Sequence, residues 1–123
     1  MKTEKNTTVK EISISFAQDL IKVVRGTYQA QFVNPDQMLR SGTSIGANIC
    51  EAQASESRKD FIHKMKVAAK EAEETDYWLC LNKGFIQEDS LILLQGKVLS
   101  IKKMLSKIIS TAISNEKYAK YKK

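Results

Sequence analysis

The chain has 123 residues, 42% of them hydrophobic and 28% charged, with one proline and five glycines. It is long enough to bury its own core as a single domain over 1–123, and its composition excludes disordered, collagen-like and disulfide-scaffold classes. A net charge of +6 suits a polyanionic partner, and eight lysines against one glutamate between Lys97 and Lys123 concentrate that charge late in the chain.

No run alternates apolar and polar residues between turn signals, so strands are not expected and the pattern reads as all-α. The opening MKTEKNTTVKE lacks the apolar core of a leader, and no apolar run approaches the roughly 20 residues of a membrane span. A soluble, cytoplasmic protein without membrane contact is the expectation. Cys50 and Cys80 lie inside helical patterns with no His or Cys at ligand spacing, and they read as buried free thiols in a reducing compartment.

Thr8 and Glu11 make a T-x-x-E capping box, which predicts a first helix over about 9–31. Its inward face is Ile12, Phe16, Leu20, Val23 and Thr27, widened by Ala17, Ile21, Val24 and Tyr28. Asn34-Pro35 marks the next start, with Asn34 as N-cap and Pro35 at the first helical position, where its missing N–H is no loss. The second helix, about 35–54, carries Met38, Gly42, Ile45, Ile49 and Ala52 on one face. Leu39, Thr43, Gly46 and Cys50 form another line roughly 110° away, at about 100° per residue. Gly in a helix interior costs about 1 kcal/mol relative to Ala, so two of them one turn apart imply close approach of another backbone. The helix is expected to be gripped from two sides; for the second line the candidates are a neighbouring helix of the bundle or an adjacent subunit.

Ser57 and Asp60 cap a third helix over about 58–83, whose seam is Phe61, Met65, Ala68, Ala72, Thr75 and Leu79. Val67, Glu71, Trp78 and Leu81 are displaced to one flank, where a single bundle leaves Trp78 half exposed and a neighbouring subunit could cover it. Charge divides along this helix: Arg58, Lys59, Lys64, Lys66 and Lys70 come early, Glu71, Glu73, Glu74 and Asp76 late. That order opposes the helix dipole, so compensating partners from another helix or subunit are expected. Lys83-Gly84 supplies the stop. A fourth helix over about 88–114 has the cleanest seam: Leu91, Leu94, Val98, Ile101, Leu105, Ile108 and Ala112. Residues 115–123 form a basic tail expected to fray. Four amphipathic helices with short connections predict an antiparallel up-and-down four-helix bundle.

Candidate chemistry is sparse. Bundles hold di-iron sites through paired Glu-x-x-His motifs, but His63 is the sole histidine and Asp60-x-x-His63 is half a motif at best. SGTSIG lacks the GK[ST] ending and the preceding strand of a phosphate loop. No nucleophile with its base and no dinucleotide fingerprint occurs, so no enzyme, cofactor or metal site is expected; Glu71, Glu74 and His63 would need to converge in a closed pocket to revive catalysis. Arg40 lies near the seam of the second helix, where its planar fork could pair with Glu51, Glu71 or Glu74. Lys59, Lys66, Lys70, Lys103 and Lys107 fall on outer faces, either solvated or available to phosphates, and Tyr118 and Tyr121 in the tail could stack on bases.

The stretch Met38 to Leu79, through LRSGTSIGANI, KDF, KEA and YWL, resembles the four-helix bundle family whose founding members are encoded in intervening sequences of bacterial 23S rRNA genes. That resemblance implies antiparallel bundles assembled as a ring, a homopentamer. It also implies kinship with the accessory variability determinant of diversity-generating retroelements, a basic pentameric barrel that binds nucleic acid and a reverse transcriptase. The combined expectation is a non-enzymatic homo-oligomer that binds RNA or DNA through basic surfaces, with a nucleic-acid enzyme as a possible protein partner. Five copies of a +6 chain would carry about +30, making weak phosphate contacts collectively useful. Lys59, Lys66, Lys70, Lys103 and Lys107 are the candidate contacts, and Leu39, Arg40, Gly46, Val67, Glu71, Trp78 and Leu81 the candidate subunit interface. The alternative is a protein-binding scaffold whose basic faces are only solvated.

Overall fold

A computed structural model describes residues 7–26 and 31–121, with 116–121 described by backbone alone. Four helices, α1 (Val9–Arg25), α2 (Pro35–Gln53), α3 (Arg58–Leu81) and α4 (Glu88–Tyr121), form an antiparallel up-and-down bundle. Each packs on two others: α2 lies against α1 and α3, and α4 closes the ring against α3 and α1. Among the described residues there is no strand.

The starts follow the capping chemistry. Thr8 Oγ1 accepts the Glu11 N–H at 3.1 Å, and Ser57 Oγ accepts the Asp60 N–H at 3.0 Å. Asn34 precedes Pro35 as expected but caps differently: its backbone is left-handed at φ 45°, and its side chain makes no cap hydrogen bond.

Two ends differ from expectation. Helix α1 stops at Arg25 rather than near residue 31, because the chain beyond is claimed by tertiary contacts. Phe32 turns into the core, and Val33 is tied to the far end of α3. Thr27 and Tyr28, assigned above to the inward face of this helix, lie outside the described residues. Helix α4 instead overruns its expected end and continues to Tyr121, since nothing after Ser114 breaks a helix: no Gly or Pro follows, and Asn115 alone does not stop it. The tail from 115 is therefore helical through Tyr121; Lys122 and Lys123 lie outside the described residues.

The core is built from Phe16, Leu20 and Val24 of α1, Met38, Ile45 and Ile49 of α2, Met65 and Leu79 of α3, and Leu94, Val98, Ile101 and Leu105 of α4, all essentially inaccessible. Ile62 takes the buried place expected for Phe61, which packs only partly against the core. Ile108 and Ala112, at the end of the expected α4 seam, are half-buried.

The two sides that grip α2 are α1 and α3. A Cβ on Gly42 would come 2.3 Å from Leu20 Cδ2, and one on Gly46 would come 3.1 Å from Ser13 Oγ, so both glycines admit α1. On the other side, buried Thr75 of α3 donates to buried Ser41 at 2.9 Å. Thus the second line divides: Gly46 belongs to the bundle interior, Leu39 is half-buried, and Thr43 and Cys50 are exposed. Cys50 and Cys80 are both exposed free thiols, not buried ones, because each directly follows a core residue, Ile49 or Leu79, and so points about 100° away from it.

Helix α3 ends in a device the periodicity does not reveal. Asn82 is fully buried; its Oδ1 accepts the Val33 N–H at 2.7 Å, and its Nδ2 donates to Val33 O at 3.0 Å and Trp78 O at 2.8 Å. Gly84, at φ +91°, then reverses the chain where a side chain would be strained.

Candidate nucleic-acid interface

The divided charge of α3 is resolved by its neighbours. Arg40 of α2 pairs with Glu71 at 3.2 Å and with Glu74, and Lys102 of α4 pairs with Glu73 at 3.1 Å and Asp76 at 3.2 Å. All four late carboxylates thus have a cation from a neighbouring helix, which is the compensation that the reversed helix polarity calls for. Of the three carboxylates within expected reach of Arg40, Glu51 is the one not used; it lies 3.9 Å from Lys64. The hydrogen bond that Arg40 donates to Glu71 raises the Arg40 pKa, and that from Lys102 to Glu73 raises the Lys102 pKa, each against the opposing effect of desolvation.

The early half of α3 keeps its charge. Lys59, Lys66 and Lys70 are exposed, as are Lys103 and Lys107 of α4, and none of the five forms an ion pair with another described residue. Antiparallel packing sets the N-terminal half of α3 beside the C-terminal half of α4, so that Lys70, Lys103 and Lys107 border the grooves there, while Lys59 and Lys66 line none of them. Arg58, Phe61 and Lys107 line one groove at that end. A second groove of about 660 Å³ between the two helices has Lys70, Lys102, Ser106 and Ser110 along it. A third, sharing Lys102, Ser106 and Ser110, adds Lys103 and Lys107. The sequence puts these lysines on outer faces of separate helices; the nearness of Lys70 to α4, and the groove with Ser106 and Ser110 along it, follow only from the packing.

The residues expected at a subunit contact lie mostly along the α2/α3 flank. Arg40 and Glu71 meet there, while Leu39, Val67 and Trp78 are half-buried and Leu81 is 40% exposed. Gly46 does not join them, because it faces Ser13 of α1. The Trp78 indole Nε1 is buried with no hydrogen-bond partner among the described residues, and the ring meets Tyr77 edge-on at 5.2 Å. Beyond this flank the protomer exposes Tyr77, Phe85, Ile92, Leu93 and Leu99, all more than half accessible. The three on α4 are outward residues that lie off the seam; Ile92 and Leu99, seven apart, share a face.

Other chemistry finds little geometry here. His63 is exposed, and the eight residues separating it from Glu71 correspond to about 12 Å along α3, so Glu71, Glu74 and His63 do not converge. The hydroxyls of SGTS turn back onto their own helix: Ser41 donates to Met38 O, Thr43 to Leu39 O and Ser44 to Arg40 O. Among the described residues no group of three His, Cys, Asp or Glu could hold a metal ion, and no helix is long and apolar enough to cross a membrane.

Comparison with known proteins agrees with this architecture. The family model for 23S rRNA-intervening sequence proteins matches residues 5–107. A solved structure of a protein with unknown function from the S23 ribosomal protein family, from Bacteroides thetaiotaomicron, is 42% identical and superposes with a TM-score of 0.76, covering 83% of this chain and 98% of its own. No curated protein matches. With the family model spanning most of the bundle, the chain belongs to the 23S rRNA-intervening sequence protein family.

Proposed function

We propose that this protein is a non-enzymatic, homo-oligomeric bundle that binds RNA or DNA through the basic α3/α4 face, as an adaptor for a nucleic-acid enzyme such as a reverse transcriptase. One observation carries the reading: the late carboxylates of α3 are each paired within the bundle, to Arg40 or Lys102, whereas Lys59, Lys66, Lys70, Lys103 and Lys107 have no ion-pair partner among the described residues. Cations left unpaired at the surface are what phosphate binding requires, and each released counterion makes binding steeply salt-sensitive. Assembly as a homopentamer would repeat that face five times. A cytoplasmic setting suits both such a ligand and two exposed free thiols.

The exposed apolar residues favour a second reading, a protein-binding scaffold, because Ile92, Leu93 and Leu99 offer a partner area that phosphate contact does not use. Titrating fluorescent RNA and DNA at rising salt separates the two. The nucleic-acid reading expects log K to fall linearly with log salt. The double variant Lys66→Glu, Lys70→Glu should flatten that slope by about 0.7 to 0.9 for each phosphate no longer neutralised. Absence of binding at low salt, or binding indifferent to salt, would leave the scaffold.

A further inference from the structure

We infer that the groove between α3 and α4 seats the backbone of one unpaired polynucleotide strand, so that the protein prefers single-stranded to duplex nucleic acid; this rests on the nucleic-acid reading of the same face.

The groove is the space between two packed helices, whose axes in such pairs run about 8–10 Å apart. It follows α4 from Lys102 to Ser114, about 18 Å at the helical rise, so it is long and narrow rather than a closed pocket. A single strand can lie along such a channel. A duplex is straight and stiff over this length and would rest on the ridges, reaching only the long lysines at the rim.

The lining fits what enters. Ser106 and Ser110 are exposed along the channel and, unlike the hydroxyls of α2, make no hydrogen bond with any described residue. Their hydroxyls are free to donate to a strand lying along the groove. Lys70 supplies an unpaired cation on one wall, and Lys103 and Lys107 continue the positive edge along α4. The one carboxylate in the lining, Glu73, is paired with Lys102 at 3.1 Å, which lessens its repulsion toward phosphate. Ile109 and Ile113 give an apolar floor against which sugars can pack. Among the described residues no aromatic ring lines the channel, so the grip there falls on the sugar–phosphate backbone.

The test is fluorescence anisotropy on the full chain with RNA and DNA oligonucleotides of about 12 nucleotides, each offered single-stranded and as a hairpin duplex at equal charge. The inference expects the single strand to bind about tenfold more tightly. Ser110→Leu, which fills the channel from an exposed helix position, should weaken single-strand binding about fivefold or more and leave duplex binding unchanged. Lys59→Glu, outside the channel, should weaken both forms. Melting curves confirm that the variants fold. Equal or tighter duplex binding, or a Ser110→Leu variant with unaltered single-strand affinity, overturns the inference while the nucleic-acid reading stands. Binding of neither form overturns both.

Discussion

Asn82 offers the sharpest test of how this bundle is closed. Its side chain ties the chain entering α2 to the end of α3 through two hydrogen bonds with Val33 and one to Trp78 O, in a site with no solvent access. Asn82→Ala removes all three and leaves the half-buried Val33 N–H and C=O without that partner. At about 1 kcal/mol per missing bond and 1–3 kcal/mol for a stranded buried group, partly relieved by water at Val33, the expected loss is about 3 kcal/mol. For a chain of this size that is about 10 °C in Tm. Asn82→Asp keeps the shape and the oxygen that accepts from Val33, but turns the amide donor into an oxygen facing two carbonyls. Burial without a compensating cation raises the folded-state pKa of that carboxyl above its unfolded value of about 3.9. A group with a raised folded pKa contributes most below its unfolded pKa and loses that contribution as pH rises through the folded one. The stability gap between wild type and Asn82→Asp should therefore be widest at neutral pH and narrow by about 1 kcal/mol or more toward pH 5, as the protonated carboxyl regains a donor. Urea unfolding across that range, with m held constant, measures it. A gap that does not change with pH, or an Asn82→Ala variant within about 1 kcal/mol of wild type, would refute the clamp.

Three further predictions test other parts of the bundle. Gly46→Leu should wedge α1 from α2, since even a Cβ would sit 3.1 Å from Ser13 Oγ; a cost of about 1–3 kcal/mol is expected in thermal melts, and an unchanged Tm would refute the close approach. Trp78→Ala should dissociate the proposed homo-oligomer at concentrations where the chain remains helical, and light scattering that shows the same oligomer would remove this flank from the interface. Lys102→Met should cost at most about 1 kcal/mol near neutral pH, because Glu73 is well exposed. Because pairing raises the Lys102 pKa, that contribution is present at neutral pH and disappears as pH rises above the ordinary lysine range; a difference that persists in strong alkali would point to altered packing instead.

Much of this molecule is written into local sequence, for reasons that are themselves local. Capping residues and periodicity act within a turn or two, so Thr8, Pro35, Ser57 and the seams of α3 and α4 are legible from the residues alone. The glycines of α2 announce a close approach by another element, but the sequence expectation of a backbone there is only partly met: side chains of α1, Leu20 at Gly42 and Ser13 at Gly46, come nearest. The candidate lysines are legible as outward residues, but not which of them border a groove.

What the tertiary structure decided depends on which chain segments come together. The early end of α1 reflects Phe32 and Val33 being drawn toward the core and Asn82, an interaction across 49 residues that overrides the helical pattern. The assignment of Arg40 to Glu71 and Glu74, and of Lys102 to Glu73 and Asp76, depends on which helices are neighbours. Charge pairing of this kind is what separates the late carboxylates of α3, all paired, from Lys59, Lys66 and Lys70, which pair with no described residue. Sequence alone determines how much positive charge the chain carries; only packing determines which of it stays unpaired, because each ion pair needs both of its members at one place in space.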